Sequence, residues 1–201
     1  MRKRHPLLPL ALLALVFGLA ACGGGESDED KVVDVIETSA TSADPADCKE
    51  LATQAFLEQT ELEQGAAAVE SCEEGAEDTE DDPESVEVSE VEVDGSAATA
   101  NVAFTGGTFD GQTLTVALIE EDGDWKMDEV TGFAKFDQEK LADTLEEGLQ
   151  SGDDPLEPQL ATCFAEVVRQ AATEQAEEIV IGGSPQPIVE IIEGCQEGLE
   201  Q

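Results

Sequence analysis

The pattern of apolar and polar positions divides the chain into a helical first part, a β-rich middle and a helical last part. Apolar residues at helical spacing predict a first helix around Val32 and Ile36. Asp44-Pro45 is typical of a helix start and predicts a second helix that ends near residue 59. A short alanine-rich helix is predicted over 65–72. The charged run 73–84, which contains a proline, indicates an exposed loop.

From Val86 onward the apolar period changes to two, which is the period of a β-strand. Val86 and Val88 face one way and Val91 and Val93 face the other, so a β-bulge is predicted around residues 89–90. Glycine-containing turns then separate four strands, which favours an antiparallel meander. One face of this sheet is apolar, and we expect the preceding helices to cover it. The predicted fold class is therefore α+β, with N-terminal helices packed on a bent antiparallel sheet.

After Phe133 the spacing is helical again and predicts a helical C-terminal extension over 134–201. Asp137 can cap a helix that carries leucines at every fourth position, and Pro158 starts another helix. This extension is too small to form much core alone. We therefore expect it to depend on a disulfide and on packing against the preceding domain.

The first 22 residues carry a basic start at Arg2 to Arg4, an apolar run over 7–21 and small residues before Cys22. This segment resembles a bacterial lipoprotein signal peptide, in which the cysteine is lipidated and becomes the first residue of the mature chain. The apolar run of about 15 residues is shorter than the ~20 that a transmembrane helix needs. A cleaved signal without lipid is the other alternative. The resemblance implies a signal peptide over 1–21, a flexible tether over 22–30 and a lipid-anchored protein on the outer side of the cell membrane.

Net charge excludes one class of partner. Of the whole chain's 48 acidic residues none lies in the signal segment, and six basic residues remain after it, a formal balance of −42. Nucleic acid is therefore not expected as a partner, because phosphate contacts need Lys and Arg. Close contact with anionic lipid headgroups is disfavoured for the same reason. Adaptation to a salty medium and simple solvation explain this acidity as well as a functional role does.

Four cysteines remain once Cys22 is assigned to lipid, which is an even number in an exported protein. Of the three connectivities we favour Cys48–Cys72 and Cys163–Cys195, because each pair lies within one local helical unit. Zinc is disfavoured, since the mature chain has no histidine and no C-x-x-C pair. The acidic run 78–83 lacks the glycine and the spaced glutamate of an EF-hand. No metal or cofactor is expected.

Catalytic groups are scarce in the mature chain. His5 is the only histidine and lies in the signal segment, and the chain has no tyrosine. This excludes Ser-His-Asp and Cys-His nucleophile activation. Carboxylates are the only abundant acid–base groups, and 48 of them make any chosen pair uninformative. The prediction is a protein that is not an enzyme, with a carboxylate-dependent pocket enzyme as an alternative.

The last strand reads Asp-Gly-Asp-Trp-Lys-Met-Asp over 122–128 and follows the strand over 113–119, with a cysteine pair in the preceding helical part. On these residues the chain over 31–133 resembles the NTF2-like α+β cone family, in particular its secreted and lipoprotein members from actinobacteria. That family contains enzymes, ligand binders and interaction modules, so the fold alone does not select a function.

The resemblance implies a cone whose apolar side chains either line a ligand pocket or fill a packed core. These side chains are Val102, Phe104, Val116, Leu118, Trp125 and Met127. We expect a membrane-anchored, non-catalytic binding module with an unknown protein partner. The alternative is a pocket protein for a small apolar ligand.

Overall fold

The computed structural model describes residues 26–76, 82–151 and 155–199. It has an α+β fold with one four-stranded antiparallel sheet, in the order β1-β2-β3-β4, and eight helices within the described ranges. Four helices precede the sheet: α1 (Asp28–Thr41), α2 (Asp47–Glu50), α3 (Gln54–Thr60) and α4 (Ala66–Gly75). The strands are β1 (Ser85–Asp94), β2 (Ala97–Thr105), β3 (Thr113–Glu121) and β4 (Asp124–Lys135). Four helices follow: α5 (Gln138–Ser151), α6 (Pro158–Gln170), α7 (Thr173–Ile181) and α8 (Gln186–Leu199). The predicted meander and the helical C-terminal part are confirmed.

The predicted β-bulge lies in β1, where the pairing register with β2 shifts between Ser89 and Glu92. Glu90 adopts a left-handed backbone conformation with φ of 51° at this point. Because the bulge inserts one extra residue, Val91 and Val93 lie on the same face of β1 as Val86 and Val88. All four valines pack against the same core. The prediction that Val91 and Val93 face the opposite side is therefore wrong.

Helix α1 begins earlier than the sequence pattern suggests. Ser27 is its N-cap: its side chain accepts a hydrogen bond from the Asp30 N–H at 3.1 Å, and the Asp30 carboxylate accepts one from the Ser27 N–H at 3.1 Å. This reciprocal pair is a capping box, and its hydrogen bonds from Ser27 lower the pKa of Asp30. Residues 28–30 are therefore helical, and the prediction of a tether up to residue 30 is wrong there. Residues 22–25 lie outside the described part.

The single helix predicted between residues 44 and 59 is instead two helices, α2 and α3. The chain between them pairs with β4: the Met127 N–H donates to the Leu51 carbonyl at 2.7 Å, and the Thr53 N–H donates to the Met127 carbonyl at 2.8 Å. Thr53 then caps α3 by accepting a hydrogen bond from the Phe56 N–H, and it donates to Asp128 at 2.9 Å. Backbone hydrogen bonds to a sheet edge thus replace those of a continuous helix.

Two apolar cores form. The first lies between the sheet and the N-terminal helices and includes Val32 and Ile36 of α1 with the inward residues of β2 to β4. The second lies among the C-terminal helices, around Phe164 and Val168 of α6 and Ala142 of α5. The C-terminal extension therefore has a small core of its own.

Glutamine side chains fasten the C-terminal helices to the sheet. The Gln59 amide donates to the carbonyls of Val130 in β4 and Ile181 in α7, at 2.8 and 2.7 Å, and its oxygen accepts from the Val130 N–H at 2.8 Å. Gln112, only 1% exposed, makes a similar two-point contact with the backbone of Asp137 ahead of α5. Both amides satisfy buried backbone groups where the two parts of the chain meet.

Arg169 joins α6 to α5 by ion pairs. Its guanidinium lies 2.7 Å from Asp143 and 3.6 Å from Glu139, both on α5, and 3.0 Å from Glu166 on its own helix. The hydrogen bond that Arg169 donates to the Asp143 carboxylate is the main reason why the pKa of Arg169 is raised. Arg169 is the only basic residue after Lys140, so it is the one cation that α6 contributes to offset the acidic surface of the helix pair.

Asp110 links the β2–β3 connection to α5. Its carboxylate accepts a hydrogen bond from the Gly106 N–H at 2.8 Å and lies 2.7 Å from the Lys140 ammonium. The hydrogen bond from Lys140, then that from Gly106, holds the pKa of Asp110 below its ordinary value. A lowered pKa in the folded state means that the ionised carboxylate stabilises the fold.

We expect Asp110→Asn to lower the urea midpoint at neutral pH and to have a smaller effect in acid. The wild-type carboxylate contributes stability above the ordinary aspartate pKa of about 3.9 and loses it as the pH falls through the lowered folded-state pKa. Urea midpoints measured from pH 7 down to pH 3 check this. Asp34→Asn, at an exposed α1 position, is the control. A difference between wild type and Asp110→Asn that stays constant across this range would contradict the prediction.

Candidate functional site

A cavity of about 400 Å³ lies between the N-terminal helices and the apolar face of the sheet. Ligand sites in proteins start near 300 Å³, so its size suits a small molecule. The predicted pocket residues Val102, Phe104, Val116 and Met127 line it. Helices α1, α3 and α4 supply the facing wall, which includes Ile36, Phe56 and Leu57. The structure thus brings four of the six predicted side chains together around an apolar space.

Leu118 and Trp125 do not line this cavity. Leu118 pairs with Ala98 and Met127 nearer to the β3–β4 hairpin, whereas the cavity lies towards the opposite end of β3, beside Val116. Both are packed in the core, at 1% and 2% exposure. The structure thus places these two side chains in the packed core. Alternation along a strand predicts which face a side chain occupies, but not which part of that face stays open.

A second, more polar hollow of about 690 Å³ lies beside Trp125 and contains three lysines, Lys31, Lys49 and Lys126. Each lysine has an acidic partner: Lys31 lies 2.8 Å from Asp28, Lys49 pairs with Glu73, and Lys126 lies 3.8 Å from Glu121. Because the lysines are engaged, the hollow offers no unpaired cation to an anionic ligand.

The Trp125 indole N–H is buried and has no acceptor in hydrogen-bond geometry among the described residues. The pKa of Asp28 is lowered, first by its hydrogen bond from Lys31 and to a small extent by the indole. Trp125 therefore acts here as an apolar side chain of the core.

The disulfide Cys48–Cys72 forms part of the cavity wall, because both cysteines line it. It joins α2 to α4. The other disulfide, Cys163–Cys195, joins α6 to α8 beside the second core. Both pairings are those predicted from the sequence. With both bridges formed, none of these four cysteines is a thiol nucleophile.

The polar groups at the cavity are hydroxyls and carboxylates. Ser39, Ser42 and Thr60 contribute the hydroxyls, and its described lining contains no lysine, arginine, histidine or tyrosine. No described group of three or more histidine, cysteine, aspartate or glutamate side chains is arranged to hold a metal ion. Residues 78–81 of the acidic run lie outside the described part. The site can thus enclose an apolar body and accept hydrogen bonds at its opening.

The lipidation residue Cys22 lies outside the described residues. Within the described ranges, no helix combines the length and the apolar character that a membrane span requires. The sequence was also compared with protein-family models, with curated proteins and with solved structures. None of these three comparisons gives a match to this chain.

Proposed function

We propose that this protein is a lipid-anchored envelope protein with an NTF2-like domain, and that the domain binds a small apolar ligand without converting it chemically. The observation that carries the proposal is the apolar cavity of about 400 Å³ between the helices and the sheet. A cone that was only a packed core would leave no such space, because protein interiors contain few voids larger than a water molecule. The cavity therefore supports a ligand pocket, rather than a packed core, as the role of these residues.

Binding is favoured over catalysis by the polarity of the buried groups. Thr53 and Gln112 are the only buried polar residues in the described part, and neither is acidic. A carboxylate enzyme of this type needs an acid that burial or a like charge brings near the working pH. The carboxylates that reach the cavity come from segments at its opening, among them Asp44 and Glu61.

We expect Val116→Phe to abolish ligand binding, because the larger ring takes up part of the cavity, and to cost about 1–3 kcal/mol of stability, because Val116 itself is almost fully buried. Val116 is 2% exposed and lines the cavity. The measurement is native mass spectrometry of both proteins purified from their own host, with urea unfolding beside it. Wild type should carry an extra mass that denaturation releases, and the variant should not.

Leu118→Phe is the matched control, since Leu118 lies two residues further along β3 and outside the cavity. The larger side chain of Leu118→Phe would clash with tightly packed neighbours. This variant should therefore lose about 1–3 kcal/mol of stability and keep the ligand mass. A bare mass for the wild type, or equal ligand occupancy in Val116→Phe, would contradict a ligand-binding cavity.

The lipid anchor is tested separately. Cys22→Ser removes the thiol that would be acylated, and we expect the protein to leave the membrane fraction and appear in the soluble fraction. The measurement is fractionation of cells that express each form, with the mass of the mature N-terminal peptide. A variant that stays in the membrane fraction would show that the lipoprotein assignment is wrong.

A protein partner is the second candidate. It is favoured by large apolar side chains that the C-terminal helices leave exposed, namely Val167, Val189 and Leu199, at 38%, 45% and 55%. Exposed apolar side chains that cluster mark interaction sites, whereas single ones are common on any surface. Crosslinking on intact cells, with Val189→Lys as the disrupting variant, separates the two cases.

A further inference from the structure

We infer that the ligand of the cavity is a cationic amphiphile, whose apolar body fills the cavity and whose ammonium group lies at the opening. This inference rests on the proposed function, because it names the chemical class of that ligand. The cavity supplies the site. The charges around its opening decide what can enter it.

Three helices end beside the cavity. Ser39 and Ala40 in the last turn of α1, Thr60 at the end of α3, and Gly75 at the end of α4 all line the cavity. Helix C-termini carry a partial negative charge from their unpaired carbonyls, and a basic residue in the last turn usually offsets it. None of these three helices has a basic residue in its last turn. Their partial charges therefore add at one place.

Carboxylates lie at the same opening. Three of them, Asp44, Asp47 and Glu61, line the cavity and are called the acidic rim. Asp44 follows α1, Asp47 is the first residue of α2, and Glu61 follows α3. A negative rim repels carboxylates, sulfates and phosphates and attracts ammonium groups.

The partners of the acidic rim are neutral. The Asp44 carboxylate accepts a hydrogen bond from the Ala46 N–H at 3.0 Å, and the Glu61 carboxylate accepts one from the Ser71 hydroxyl at 2.8 Å. Asp47 likewise accepts from a serine hydroxyl, at 2.5 Å. Such bonds position a carboxylate without cancelling its charge. The ion pairs of the described residues involve none of the three.

The interior suits the rest of such a molecule. The walls are mostly apolar, and the phenyl rings of Phe104 and Phe109, with centroids 5.7 Å apart, are part of them. Apolar and aromatic walls of this kind suit an alkyl body, which leaves the ammonium group to the acidic rim.

Three probes, each with a straight chain of eight carbons, test the inference. They are octyltrimethylammonium, 1-octanol and octanoate, titrated calorimetrically into the purified protein at low salt. We expect octyltrimethylammonium to bind about tenfold more tightly than octanol, and octanoate about tenfold more weakly, because each step changes one unit of charge beside the rim. Added salt should reduce the differences in affinity among the three probes, because it screens the charges of the rim.

The matched variants separate the rim from overall charge. Asp44→Asn with Glu61→Gln keeps the hydrogen-bond acceptors and removes two rim charges. Glu87→Gln with Glu92→Gln removes two charges from exposed positions on β1. We expect the first pair to remove most of the cation preference and the second pair to keep it. Equal losses in both pairs would assign the preference to net charge and overturn the role of the rim.

The probes also distinguish the failure of this inference from that of the proposed function. If octanol binds in the cavity and octyltrimethylammonium binds no better, the ligand class is wrong and the ligand-binding function stands. If none of the three probes binds, the ligand-binding function itself is wrong. Val116→Phe should abolish the binding of every probe that enters the cavity.

Discussion

Replacing both Cys48 and Cys72 by alanine is expected to lower the free energy of unfolding by about 3 kcal/mol and to abolish ligand binding in the cavity. The bridge closes a loop with a sequence separation of 24 residues. A loop of this size restricts the unfolded chain by about that amount on the loop-entropy account. The bridge also holds α4 against α2, where both cysteines form the cavity wall. Without it we expect α4 to move and the wall to open.

The measurement is urea unfolding of wild type and Cys48→Ala/Cys72→Ala, with octanol binding by calorimetry on the folded fraction of each. Cys163→Ala/Cys195→Ala is the matched control, because that bridge closes a similar loop, with a separation of 32 residues, and neither of its cysteines lines the cavity. It should cost a similar amount of stability and leave octanol binding intact. If both double variants lost binding equally, the first bridge would act through stability alone and not through the wall.

The strands and the bridges could be predicted because their signals are local. Alternation gave the inward face of β2, β3 and β4, and Asp-Gly sequences marked two of the turns. Cysteines within one helical unit were the nearest partners for each other, as the two disulfides show. In each case, a few residues that are close in sequence determine the local structure or the pairing.

The errors arose where distant parts of the chain decide the outcome. The predicted helix over 44–59 is interrupted because Leu51 and Thr53 pair with Met127, which lies more than seventy residues away. Leu118 and Trp125 share the apolar face with Val116, yet the helices close over them and leave the cavity beside Val116. A local sequence pattern does not predict which part of the sheet a helix will cover.

Polar residues that fasten the fold were also missed by sequence reasoning. Gln59 and Gln112 have no neighbours that mark them as buried, and glutamine is mostly exposed in proteins. A weak signal exists for Ser27 and Asp30, because a serine followed by an acid three residues later resembles a capping box. The residues of the acidic rim could not be distinguished from the other acidic residues, 48 in all, by sequence alone, because only the fold brings them to the cavity.

The second large effect is expected at Gln112, whose side-chain amide is buried against the start of α5. Its nitrogen donates to the Asp137 carbonyl at 3.0 Å, and its oxygen accepts from the Asp137 N–H at 2.7 Å. Gln112→Leu removes both bonds and covers the Asp137 N–H with an apolar group. An unsatisfied buried donor costs about 1–3 kcal/mol, so we expect a loss of about 2 kcal/mol in urea unfolding.

Gln112→Glu tests the same contact through pH, since it keeps the shape and the acceptor but turns the donor into a carboxylate oxygen that faces the Asp137 carbonyl. Burial and this repulsion raise the pKa of the introduced acid in the folded state. The variant should therefore be close to wild type in acid, where the carboxyl is protonated and can donate. It should lose about 3 kcal/mol of stability as the pH rises above the folded-state pKa.

Gln175→Glu is the control, because it adds the same charge at an exposed position on α7. It should change stability by less than about 0.5 kcal/mol at any pH. A Gln112→Glu variant with the same pH profile as Gln175→Glu would show that water replaces the amide, and that the docking of α5 depends on the apolar contacts alone.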